Sequence, residues 1–274
     1  MKLDMGKAWN SAMEMIGANR DVMLILVGVF VFLPNFAFAL YLGDSTELLQ
    51  AQAAGDPEQA METMLAFYRD LALPMVLISL VQGVGTMALL SLLNDSGRPT
   101  VGEAIRIGLI CLLPYFAAQL IQGFIMGLAI LIPVVIGIET NSVAVGVLIG
   151  LVALVAIIYV SVKFSLVAPV LAIEGIRNPI TALQRSWSLT KGNSVLLFAF
   201  YLLLVLAFLI VSAVISLVIG VAFALAGPEV AVIGNGLVSS AIAAVMVMVM
   251  VGVLAAIHRQ LSGGSTTTYS EAFE

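Results

Sequence analysis

Long apolar blocks alternate with short polar gaps along this chain. Six blocks read as membrane spans, at about 22–42, 73–93, 107–137, 143–164, 195–225 and 230–257. An α-helix needs about 20 apolar residues to cross a ~30 Å hydrocarbon core, and each block supplies them. A barrel strand would need only ~10 residues of alternating character, which none of the blocks shows. Helices also satisfy every backbone N–H and C=O internally, as hydrocarbon demands. The pattern predicts an all-α, polytopic membrane helical bundle of about six transmembrane helices, forming a single integral membrane domain over 1–274.

The gaps add smaller elements. The first, from Gly43 to about Ala72, is long and acidic. Within it Asp56-Pro57-Glu58-Gln59 reads as a helix start, with Asp56 as N-cap, Pro57 at N1 and Gln59 at N3. Ala60, Met61, Met64, Leu65 and Tyr68 follow at helical spacing. They predict an amphipathic helix resting on the outer face of the bundle, either a spacer or a lid over a cavity.

Segments 7–16, 102–107 and 179–189 each mix apolar and basic residues and lead into an odd-numbered span. Short amphipathic interfacial helices are expected here, with apolar faces in the acyl boundary and basic side chains toward anionic headgroups. Trp9 and Trp187, the two tryptophans, fall in these segments, where indole rings prefer the headgroup level. Their recurrence raises a threefold repeat of interfacial helix, span, turn and span. The alternative is that membrane composition alone creates the likeness.

Composition agrees with a bilayer: the chain is 62% hydrophobic and 10% charged, with mean hydropathy +1.15. A soluble domain of this size needs a polar shell that these residues cannot build. Charge then orients the spans. Lys2, Lys7 and Arg20 precede the first span; Arg98 and Arg106 lie in the second gap. Lys163, Arg177, Arg185 and Lys191 lie in the fourth, and Arg259 follows the last span. The first, third and fifth gaps hold Arg69 alone. Basic residues stay on the cytoplasmic side, so both termini are expected there, in a bacterial-type inner membrane. Ala37-Phe38-Ala39 has the form of a signal cleavage site, but a long mixed segment precedes the first block, and an uncleaved span is expected.

The fourth gap is richest in signal. Lys163 is expected to snorkel to the inner interface. The apolar stretch 164–173 lies past the expected membrane end, where Pro169 should bend it along the interface. Asn178-Pro179 starts a helix, and Gly192 suits its left-handed C-cap. The stretch Ala168-Pro169-Val170-Leu171-Ala172-Ile173-Glu174-Gly175, followed by Ala182-Leu183-Gln184-Arg185-Ser186-Trp187-Ser188-Leu189-Thr190-Lys191-Gly192, resembles the membrane domain of glycerophosphoryl diester phosphodiesterases. Related stand-alone six-span bacterial membrane proteins carry similar segments. The resemblance covers about 25 residues and implies architecture and location. Hydrolysis in the fused members belongs to a separate soluble barrel, which this sequence does not contain, so no catalytic residue is carried over.

Candidate chemistry is sparse. No Cys/His cluster suggests a metal, and no cofactor is implied. His258 is expected to cap the last span near its C-terminus. Ser186 has no evident His partner for nucleophilic work. Cys111 reads as a small core or lipid-facing residue, and no free-standing basic cluster points to nucleic acid. Gly123–Gly127, Gly146–Gly150 and the stripe Ser212, Ser216, Gly220 and Ala224 are small-residue packing motifs, for the bundle itself, a homo-oligomer or another membrane protein. Gln119 and Gln122 share a helix face, and Gln82 reaches a similar depth on the neighbouring span. The three are candidates for an intramembrane polar cluster, either interhelical glue or the lining of a path.

The headgroup-facing candidates are Trp9, Lys163, Arg177, Arg185, Trp187 and Lys191. The expected function is that of a non-enzymatic membrane protein whose basic interfacial helices engage membrane lipids, anionic ones above all, or a cytoplasmic partner. A transporter or channel for a small solute or lipid is the alternative.

Overall fold

Apolar helices longer than the bilayer core dominate the computed structural model, which describes residues 2–42, 57–94 and 100–263. Among these residues six helices are long and apolar enough to cross a membrane, and there is no strand. The chain is a multi-pass, all-α membrane bundle.

The elements run α1 (Met5–Ala18), α2 (Arg20–Leu42, widened to a π-type turn at Gly28–Phe32), α3 (Pro57–Leu92), α4 (Val101–Glu139) and α5 (Val143–Phe164). Then follow α6 (Val167–Ala172), α7 (Pro179–Leu189), α8 (Ser194–Ala226) and α9 (Pro228–Leu261). Local chemistry sets the boundaries. Thr100 and Glu103 form a reciprocal capping box at the start of α4. Asn178 accepts from the amides of Ile180 and Thr181, with Pro179 at the first helical position of α7.

Sequence neighbours pack as antiparallel pairs, α3 with α4, α4 with α5 and α8 with α9, while α9 also packs on α1 and α2. The core lies toward one end of the bundle, where α1, the last turns of α9 and the 163–193 region meet. Met87, Leu89, Leu90, Leu166, Leu171, Leu197 and Ile257 are fully buried there. At the opposite end α4, α5 and α8 present exposed Ile138, Val143 and Leu225. The 39 residues of α4 make about 58 Å of helix, well beyond a ~30 Å hydrocarbon core, so it tilts or projects.

Four expectations change. The first-gap helix is not a separate element: Pro57–Leu92 is one 36-residue helix that carries Pro74 inside it. Met61, Leu65 and Tyr68 are exposed rather than laid on the bundle; Asp56, the expected cap, lies outside the described residues. Segment 102–107 is the first part of α4 itself, so only two of the three supposed interfacial helices stand apart from a span. Stretch 164–173 does not run along the interface. Its helix α6 is buried at every residue and packs against α3, α4, α7 and α9.

The fourth change concerns the faces of α1 and α7. Ala8, Ala12, Met15 and Ile16 of α1 are buried, and Ile16 sits over Gly252 of α9, where an added Cβ would meet its Cδ1 at 2.7 Å. Ala182, Leu183 and Leu189 of α7 are buried too. Protein, not acyl chain, covers these apolar faces, because the small residues on the facing helices admit close approach.

Candidate functional site

The polar residues of the core end form a connected assembly around the 163–193 region. Ser186, fully buried on α7, donates its Oγ–H to the Lys163 carbonyl at 2.7 Å and accepts from the Leu166 amide at 3.2 Å. Thr190 adds a longer bond to the same carbonyl, at 3.4 Å. One hydroxyl thus satisfies both a C-terminal carbonyl of α5 and the amide entering α6, groups that would otherwise be orphaned where the chain turns inward. Tyr201 of α8 donates to Ser165 Oγ at 3.0 Å and fixes the same corner from the other side.

Glu174 is the electrostatic hub. Its Oε2 lies 2.9 Å from Arg185 Nε, and its Oε1 lies 2.9 Å from His258 Nε2. Burial raises the carboxyl pKa, but the hydrogen bonds from Arg185 and His258, with their charges, outweigh it and hold the group below its ordinary value. An ionised carboxylate only accepts, so His258 Nε2 carries the proton and donates. His258 is buried at 3% exposure, so it is an internal tie between α9 and the loop after α6, not a cap at the interface. The fold brings together two residues 84 positions apart.

Lys163 is also inside. It is 3% exposed, and its ammonium stands 5.4 Å from the ring centroids of both Tyr159 and Trp187. Trp187 packs edge-on to Tyr159 and against Phe164, while remaining 39% exposed. Trp9, at 38%, is comparably open. Arg177 and Lys191 are exposed, whereas Arg185 is drawn to Glu174. Arg98 lies outside the described residues.

The N-terminal segment closes the assembly. Leu3 donates its amide to Asn193 Oδ1 at 2.9 Å, and Asp4 donates to Gln260 Oε1 at 3.0 Å. Between this segment, the last turns of α5 and the start of α8 lies a cavity of about 490 Å³. Lys2, Lys163, Lys191, Tyr159, Ser194 and Val195 are among its lining residues.

Among the described residues no hydrogen bond links Gln82, Gln119 and Gln122 to one another. Gln82 donates to Asn35 Oδ1 of α2 at 3.0 Å, and exposed Gln119 donates to Tyr115 of its own helix at 3.4 Å. Asn35 is the partner missed in the sequence; its place within an apolar span was the available signal. Of the glycine pairs, Gly146 meets Gly137 across the α4–α5 seam, with an added Cβ 3.2 Å from its Cα, whereas Gly123 and Gly127 have nothing within 4 Å. Cys111 is buried, its Sγ 3.6 Å from the Leu171 carbonyl. Among the described residues no group of three or more His, Cys, Asp or Glu side chains could hold a metal. Compared with known proteins, the chain matches no family model, and neither a curated protein nor a solved structure shows significant similarity to it.

Proposed function

We propose that this is a non-enzymatic integral protein of a bacterial-type inner membrane, with both termini cytoplasmic, whose basic end engages anionic lipid. The carrying observation is the grouping of cations and half-exposed tryptophans at the end where the core is packed. Lys2, Lys7, Arg106, Arg177 and Lys191 are exposed there alongside Trp9 and Trp187. Basic residues are retained on the cytoplasmic side, which orients that end inward and sets it against anionic headgroups. The resemblance of 168–192 to the membrane domain of glycerophosphoryl diester phosphodiesterases supports the same location.

The internal pairing of the reactive side chains supports a non-catalytic role. Arg185 and His258 both bind Glu174, and Ser186 is committed to two backbone groups. A solute path draws no support from Gln82 and Gln119, whose amides bond to Asn35 and Tyr115.

The test is the composition of lipid around the protein in nanodiscs of mixed zwitterionic and anionic phospholipid. Anionic lipid should be enriched over the bulk mixture, and the enrichment should fall as salt screens the exposed charges. A shell with the bulk composition at low salt would overturn the reading.

A further inference from the structure

The cavity beneath the N-terminal segment has the chemistry of an anion site. Three lysines, Lys2, Lys163 and Lys191, line it, and no acidic residue does so among the described residues. Lys163 is the decisive member. It is buried, yet its ammonium contacts ring faces and has no acidic partner among the described residues. A buried cation placed near like charges is costly without a counter-charge. The start of α8 faces the same space through Ser194, Val195 and Leu196. Asn193, at the N-cap, makes no side-chain bond to the first turn; its Oδ1 accepts from Leu3 instead. The first-turn amides of a 33-residue helix therefore border a cavity already lined by lysines, at the positive end of the helix dipole.

The kind of anion follows from the donors. Ammonium groups are point charges that suit the tetrahedral oxygens of phosphate, whereas a planar carboxylate is matched best by an arginine fork, and among the described residues no arginine lines the cavity. The surroundings then identify the source. Tyr159 and Val195 line the cavity and are 47% and 83% exposed. Beyond them Val155 on α5 and Leu202 on α8 continue an exposed apolar surface into the membrane-spanning segments. We propose that this cavity holds the phosphate of an anionic phospholipid, with its acyl chains lying along α5 and α8. The site rests on the lipid-engaging reading above and gives it one specific address. With three cations available, retention increases with the charge of the headgroup, from one phosphodiester to a phosphomonoester or two phosphates.

Native mass spectrometry of the full chain released from nanodiscs tests this. The wild type should retain one anionic phospholipid, phosphatidate more firmly than phosphatidylglycerol. Lys163→Gln with Lys191→Gln should lower that retention roughly tenfold or more. Ser194→Asp places a carboxylate where a helix start welcomes it, so the fold is kept while phosphate is repelled. Retention should be lost there too, with no fall in Tm. Excess glycerol phosphate should leave the lipid in place; its displacement of the lipid would show a soluble phosphate site and overturn the assignment. Retention unchanged in both variants would overturn the site while anionic enrichment of the surrounding shell persists. Loss of that enrichment in the wild type would instead remove the broader reading.

Discussion

Glu174 accepts a hydrogen bond at 2.9 Å from His258, a residue 84 positions away. The contact fastens the last turn of α9 to the loop that follows α6, and Arg185 fastens α7 to the same carboxylate. Removing the carboxylate therefore removes two ties, and removing the imidazole removes one. Glu174→Ala should cost about 2–3 kcal/mol and His258→Phe about 1–2 kcal/mol, the range for hydrogen bonds to a charged group, discounted for the partial exposure of Arg185. Thermal unfolding in detergent checks the order. Equal, negligible shifts for both variants would show that the hub does not hold these elements.

The same carboxylate gives the fold an acid sensitivity with a definite sign. Its folded pKa lies below the ordinary value of 4.5, because the hydrogen bonds and charges of Arg185 and His258 outweigh burial. A lowered folded pKa contributes stability that is present above the unfolded value and is lost as pH falls through the folded one. Stability should thus decline as pH drops below about 4.5, and Glu174→Gln should show a shallower decline over that window. Unfolding midpoints of both proteins across the acid range provide the comparison. A steeper decline in the variant would contradict the sign.

Ser186 is a structural hydroxyl, held by two backbone groups where α5 gives way to α6. Ser186→Ala leaves the Leu166 amide without its side-chain acceptor and the Lys163 carbonyl with the longer Thr190 bond alone. A buried polar group deprived of its partner costs about 1–3 kcal/mol, so the variant should unfold earlier by that amount. Ser186→Thr keeps the hydroxyl and should recover part of the loss if its added methyl is accommodated. Alanine matching the wild type would show the bond to be dispensable.

What the sequence made legible was whatever hydropathy alone decides. The block 143–164 coincides with α5, and the other spans extend by a few residues, apart from α3, whose helix begins at Pro57. Hydropathy cannot say whether lipid or protein covers an apolar face, and there the reading diverged. The apolar stripe of α1 and the whole of α6 have compositions suited to an acyl boundary, yet both are buried in protein. Pro74 lies inside a continuous helix, because the loss of one backbone donor can be absorbed in a membrane helix. Glu174 and His258 were individually visible as polar residues near membrane ends. Their contact depends on the path of α6, which no periodicity encodes. Trp9, Arg177 and Lys191 are surface residues, whereas Lys163 is interior because Tyr159 and Trp187 cover it.

The glycines of α4 differ sharply in what faces them. A Cβ on Gly108 would lie 2.5 Å from the Val84 carbonyl oxygen, a backbone atom of α3 that cannot swing aside. Gly108→Ala should force α3 and α4 apart and cost about 1–3 kcal/mol, as overpacking does. Gly123 and Gly127 belong to the more recognisable pair on the same helix, yet a Cβ there meets nothing within 4 Å. Substituting alanine at both should be neutral or should stabilise by up to about 1 kcal/mol per site, through helix propensity alone. Unfolding of the three single variants and the double variant in detergent tests this order. A large loss at Gly123 or Gly127 with the protein monomeric would contradict the observed packing. The same loss confined to conditions where the protein self-associates would place a second copy against that face. Close approach is therefore read from what faces a glycine, and the spacing of two glycines on one helix does not supply it.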